Sequence, residues 1–448
     1  MSRKFTYILL LVIFLGATAF IVIRYTTKQK EKNLVSYTLQ PRTGLLSKSP
    51  DWTSVKKQAY SLNNALRQNP QDSKTALALA TLFIQEARIT GNYMYYDAGA
   101  MKYVDDVLAR EPGNVQALAL QSVIYLSQHH FAEGLSVAQK AKNLNPYYAF
   151  IYGLLVDGNV EMGDYKAAIE NSDKMVSIRP DIRSYSRISY LREIHGDNLG
   201  AIEAMKMAVE AGPEGDEPTE WARIQLARLY ENTGDVKSAE MHYTIALENR
   251  PGYAPALAGL GHIHIANHDY NQAIKLYEEA ASLLPDYSIH EQLASLYMQT
   301  GDKEKENATI KELLDELTNS AKKGEQDESI GHYADRELAY AYLLNDDPDN
   351  ALKHALIEYN RRPDNIDVNE TVAWVYHKQG KDKDALPYVK TALRTNCKNP
   401  TLLCQAGLIY AAAGNKAQAK PLLQEALKNN PNISTDIKDE SARVLKSI

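Results

Sequence analysis

Small and apolar residues along this chain recur at the spacing of a buried helix face in two successive segments. That two-segment pattern then repeats after about 34 residues. One copy reads Leu226, Ala227, Tyr230, Gly234, Asp235, Ala239, Tyr243, Ala246, Pro251, and the next reads Leu260, Gly261, His264, Asp269, Ala273, Tyr277, Ala280, Pro285. Each copy predicts two helices joined at Gly-Asp and closed by Pro. Glycine accepts the positive φ of a tight turn, and proline cannot continue a helix, so it resets the chain for the next pair. Small residues at Ala227, Gly261, Ala339, Ala373 and Gly407 let the first helix approach its neighbours. Ala239, Ala273, Ala385 and Ala419 do the same on the second helix, and Tyr and Leu fill the space between layers.

Residues 51–70 read as the second helix of a degenerate copy. The first complete copy, 72–112, is stretched, and an insertion containing Tyr93, Met94, Tyr95 and Tyr96 is expected between its helices. Regular copies follow at 113–146, 147–180 and 181–213. An acidic Gly/Pro loop at 214–218 interrupts the period before the copies at 219–251 and 252–285. The copy from Asp286 has a second helix extended towards Lys323, with an exposed loop expected at 324–329. Copies at 330–363, 364–397 and 398–431 complete about ten, enough for a stable array. Residues 432–448 read as a capping helix that begins at Ser434 or Thr435 and packs through Val444 and Leu445.

This grammar resembles the tetratricopeptide repeat family over residues 51–431. The resemblance implies an all-α fold, a right-handed superhelical solenoid whose first helices line a concave groove for protein or peptide ligands. Register with the family places Tyr190, Trp221, Arg228, Tyr333, Arg336, Tyr340 and Trp374 in that groove, with Phe150, Asp157, Arg183, His262 and His377 in equivalent slots. Aromatic residues and Arg dominate binding hot spots. Some relatives clamp a C-terminal carboxylate with Lys and Asn; the matching slots hold Ile224, Ala258, Ala119 and Gly153, so that clamp is not expected.

The N-terminus adds a separate expectation. Arg3 and Lys4, in a short basic segment 1–4, precede an uncharged apolar run at 5–23, bounded by Arg24. Its length suits one transmembrane helix or uncleaved signal anchor. The rival is a signal peptide cleaved after Ala19, since Ala17-Thr18-Ala19 has the small-x-small form. Residues 24–50, basic and polar with Pro41, Gly44 and Pro50, read as a tether. A short basic N-terminus held in the cytoplasm places the solenoid on the extracytoplasmic side, the periplasmic side in a bacterium.

Composition narrows the chemistry. A net charge of −6 lacks the basic footprint of nucleic-acid binding. The two cysteines, Cys397 and Cys404, match no metal motif. Outside the repeats too little chain remains for a catalytic core, and no phosphate loop or nucleophile motif occurs. His264, His268 and the pair His129-His130 fall at structural positions of the repeat, so no metal, cofactor or catalytic residue is assigned. The sequence therefore reads as a membrane-tethered, non-enzymatic scaffold for protein–protein interaction in assembly of an envelope or membrane complex. The alternatives are a cleaved, exported adaptor and a substrate-positioning subunit of an enzyme complex.

Overall fold

The computed structural model describes residues 10, 11, 13–18, 20, 24, 37–49, 51–326, 331–428 and 433–448. The chain divides into an N-terminal unit, Met1–Gln40, and a main body, Pro41–Ile448. In the first unit the described residues between 10 and 24 are helical and exposed.

The main body is a helical solenoid with no strand among the described residues. Among the described residues, a short 3-10 helix, Gly44–Lys48, and a helix, Trp52–Gln68, precede ten hairpins numbered 1 to 10 along the chain. Hairpins 1 to 4 are Ser73–Thr90 with Tyr93–Arg110, Val115–Ser127 with Phe131–Leu144, Ala149–Met162 with Tyr165–Ile178, and Ile182–Ile194 with Asn198–Glu210. Hairpins 5 to 7 are Glu217–Asn232 with Val236–Asn249, Ala254–Ala266 with Tyr270–Leu283, and Tyr287–Thr300 with Lys303–Gln326. Hairpins 8 to 10 are Asp335–Leu344 with Pro348–Arg361, Ile366–Lys378 with Asp382–Ala392, and Pro400–Ala412 with Lys416–Leu427. The helix Thr435–Ser447 closes the array, and Val444 and Leu445 pack on its terminal core.

Each hairpin turns by the chemistry its sequence carries. In hairpins 3, 4 and 5 a glycine in the left-handed region is followed by Asp164, Asp197 or Asp235. That carboxylate accepts the backbone N–H three residues on and caps the second helix. Hairpins 2, 6 and 8 place His129, His268 and Asp346 in the same left-handed conformation. The small residues are packed as expected: Ala227, Ala239, Ala273, Ala339, Ala385 and Ala419 have no exposed surface. A Cβ on Gly261 would lie 2.7 Å from the Tyr277 ring, so only glycine admits that ring between the two helices.

Three expectations are revised. No insertion separates the helices of hairpin 1; the extra residues lengthen both helices, and Tyr93–Tyr96 form the first turn of the second. Residues 324–326 continue the helix Lys303–Gln326, while the rest of the expected loop, 327–330, lies outside the described residues. Residues 41–49, read as tether, pack on the solenoid. Arg42 is buried and its guanidinium bonds to both carboxylate oxygens of Glu86, at 2.9 and 2.6 Å, and to Asp51 at 3.0 and 3.2 Å.

The single-pass localisation is also corrected. Among the described residues no helix is long and apolar enough to cross a membrane. Of the stretch 5–23, only 10, 11, 13–18 and 20 belong to the described helical residues; the remainder, with segment 1–4, lies outside them.

The solenoid is wound tightly enough that successive superhelical turns touch. The loop inside hairpin k meets the connection that follows hairpin k + 5. Gly91 in hairpin 1 abuts Leu284 and Pro285. At hairpin 2, His129 Nδ1 donates to the Tyr333 carbonyl at 3.0 Å, His130 Nε2 to the Gly331 carbonyl at 2.9 Å, and Tyr333 N–H to the Gln128 carbonyl at 3.1 Å. At hairpin 3, Asn365 donates to the carbonyls of Val160 and Glu161, Ile366 N–H donates to the Tyr165 hydroxyl at 2.9 Å, and Arg362 pairs with Glu161. Arg394 adds a 2.6 Å bond to the Gly163 carbonyl. At hairpin 4, Gly196 lies against the Asn396 carbonyl. The segment 41–49 extends the rule backwards, with Leu45 against Gly252 in the connection after hairpin 5.

Gly163 and Gly414 separate the seam from the turn itself. Both adopt left-handed φ, 81° and 86°, but a Cβ on Gly163 would sit 2.3 Å from the Asp364 carbonyl oxygen, whereas Gly414 has nothing within 4 Å. Gly414→Ala is expected to cost about 1–2 kcal/mol from backbone conformation. Gly163→Ala is expected to cost a further ~1–3 kcal/mol from overpacking. Urea-unfolding midpoints of the two full-length variants check this; equal midpoints would refute a seam under compression.

Candidate functional site

First helices of successive hairpins approach one another in nearly every neighbouring pair, more closely than second helices do. They therefore form the inner, concave side. Seven of its side chains set its chemistry: Glu161, Glu193, Glu291, Arg336, Tyr340, Asp367 and Glu370, all half-buried and all on first helices. Arg336 lies centrally. Its guanidinium sits 5.5 Å from the Tyr340 ring centroid, and Nε donates to Thr371 Oγ1 at 3.2 Å.

The inner carboxylates hold their protons unusually tightly. Burial lifts Glu161, Glu291 and Glu370 to about 7, against the partial relief that Arg362 gives Glu161 and Arg336 gives all three. Asp367 repels the charges of Glu161 and Glu370 and adds to the rise. Glu193 is raised by burial too, with relief from Asn232 and Arg228. Low dielectric plus mutual repulsion is the cause, because the available cations are too few to neutralise the set.

The structure separates the seven residues that register placed in the groove. Tyr190 and Arg228 lie exposed near Glu193, and Arg336 and Tyr340 form the central cluster. Trp221 is exposed at the start of hairpin 5. Trp374, at 5% exposure, belongs to the core shared with Leu403, Ala406 and Val389, and its ring stacks on His377. Tyr333 belongs to the seam, lying parallel to the His130 ring with centroids 4.0 Å apart, and the Arg361 guanidinium sits 4.0 Å from the Tyr333 ring centroid. Both rings satisfy the aromatic register, yet neighbouring turns or layers already cover them.

Sequence reasoning missed a second grouping. His129, at the left-handed turn of hairpin 2, meets His332 and Glu337 from just before and inside the first helix of hairpin 8. One ligand atom from each lies within 4.8 Å of the other two. The imidazole centroids are 4.1 Å apart, and His129 Nδ1 is 3.9 Å from Glu337 Oε1. Burial pushes His129 down to about 4 and His332 to about 3, so both rings are neutral at physiological pH. The only signal in the sequence was a His where the turn glycine belongs.

Models of the tetratricopeptide repeat match residues 254–287 and 400–433, so the chain carries repeats of that kind. No curated protein matches it. Among solved structures it is similar to a human IFIT1 dimer with PPP-AAAA, at 15% identity over 77% of this chain and 86% of that one, with a TM-score of 0.42. A tetratricopeptide repeat protein from Parabacteroides merdae is similar at 16% identity over 59% and 98%, TM-score 0.34. Yeast Tom70 is similar at 12% identity over 89% and 94%, TM-score 0.37.

Glu370 yields a pH test. Its folded pKa of about 7 exceeds the ordinary 4.5, so its contribution to stability is complete below about 4.5 and is lost as pH rises through about 7. Glu370→Gln, a permanently neutral mimic, is expected to melt above wild type at pH 8 and level with it at pH 4.5. A difference independent of pH would refute the assignment.

Proposed function

We propose that the protein is a non-catalytic scaffold whose inner face receives an extended, cationic polypeptide segment from a partner protein. The observation that carries this reading is the excess of half-buried carboxylates on the inner face: Glu161, Glu291, Asp367 and Glu370 around Arg336, with Glu193 beside Arg228. A Lys or Arg side chain brought among them would supply the missing countercharge, lower their pKa values and recover part of the cost of burying them. Tyr190, Tyr340 and Trp221 offer ring faces to the same cations and to apolar neighbours.

The seam supports an extended ligand. The contacts that tie hairpins 1–4 to the described residues of the connections they meet favour a chain entering along the axis over a folded domain. A partner of this kind would pair through side chains while the solenoid stays rigid, as expected of a scaffold that orders other proteins.

Binding of fluorescent Lys/Arg-rich and Asp/Glu-rich twelve-residue peptides to the full-length protein, read by anisotropy, tests the reading. The basic peptide is expected to bind more tightly as pH rises from 6 to 8 and more weakly as salt increases. Combining Glu161→Gln with Glu370→Gln should weaken it roughly ten-fold or more, about 1.4 kcal/mol. Tyr340→Ala should weaken it without altering the salt dependence. Equal binding of the acidic peptide, or no effect of the double variant, would refute the proposal.

A further inference from the structure

We propose that His129, His332 and Glu337 form a binding site for a divalent transition-metal ion of the zinc class, placed so that the ion ties one superhelical turn to the next. The three side chains come from the loop of hairpin 2, from the connection before hairpin 8 and from the first helix of hairpin 8, and they converge only because successive turns of the solenoid meet.

Ligand chemistry points to this class of ion. Two imidazoles and one carboxylate are a borderline donor set that suits Zn²⁺, with a fourth position for water. Each imidazole is already oriented. His129 Nδ1 donates to the Tyr333 carbonyl at 3.0 Å, and His332 is hydrogen-bonded to the Ser127 backbone. A ring nitrogen engaged on a carbonyl fixes the tautomer and leaves the other nitrogen's lone pair available, the arrangement that metal-ligating histidines adopt.

The carboxylate supplies the second, independent observation. Glu337 is 7% exposed, and its Oε2 finds no hydrogen-bond partner among the described residues. A buried carboxylate oxygen without a partner is costly, and an adjacent cation is the most effective way to satisfy it. Arg336 and Arg362 lie near enough to oppose a cation at His129. Arg362 is already bound by Glu358, at 2.6 Å, and by Glu161, while Arg336 is offset by Asp367 and by Glu337 itself. The surroundings are thus close to electrically balanced before the ion arrives.

Bound there, the ion would cross-link residues about 200 positions apart in sequence, as the neighbouring His130–Gly331 hydrogen bond does across 201. Its effect would be structural: a stiffer seam, and a solenoid whose winding depends on metal supply.

Full-length protein equilibrated with Zn²⁺ and dialysed free of excess tests the site by metal analysis and thermal melting. One zinc per chain and a raised melting temperature are expected. Glu337→Gln, which keeps the shape of the side chain, and His332→Ala should each weaken zinc binding roughly ten-fold or more and abolish the thermal shift. Circular dichroism confirms folding, and Glu337→Gln decides the matter if His332→Ala fails to fold. Absence of retained zinc in the wild type, or retention unchanged in folded Glu337→Gln, would overturn the proposal.

Discussion

The contact between a hairpin's internal loop and the connection five hairpins further on is the constraint from which the rest of this structure follows. In a loosely wound solenoid each unit touches only its neighbours, and stability approximates a sum of local terms. Here Gly91, His129, Gly163 and Gly196 each seat against a segment roughly 200 residues away. Ile366 shares a hydrophobic core with Val156, Val160 and Tyr165 of hairpin 3. The wall of the spiral is therefore continuous in two directions, along the chain and across the turns.

Charge is divided between wall and interior. Arginines of the wall are saturated: Arg42 by Glu86 and Asp51, Arg362 by Glu358 and Glu161, and Arg394 by two backbone carbonyls. Glutamates of the inner face are under-matched, and burial lifts three of them to about 7. Glu161 belongs to both worlds, ion-paired across the seam yet still raised. The same carboxylate that helps to close the spiral contributes to the field inside it.

The repeat itself was legible from residue spacing, because helix approach and turn geometry are local. Ala227 against Ala239, Gly234 with Asp235, and the capping tail with Val444 and Leu445 each follow from side-chain size or backbone freedom within one unit. The seam was not legible, since it depends on a small rotation per hairpin accumulated over five of them, and no residue encodes that sum alone. Tyr333 and Trp374 show the consequence: register marked both as groove rings, whereas Tyr333 is held half-buried in the seam and Trp374 lies in the core between layers. His129 read as a substitute for a turn glycine, which its φ of 61° supports, while its partners His332 and Glu337 could be found only after winding.

Winding also sets an order in time. Hairpins 1 to 4 emerge first during synthesis, but the segments that cover their loops lie about 200 residues downstream. At roughly 5–20 residues per second, those loops wait on the order of 10–40 s before their partners exist. Throughout that interval Tyr165 and Val160 have no Ile366 to pack against, and the nascent chain can be only an open ribbon of hairpins. The ribosome's pace is thus built into when this spiral can first close.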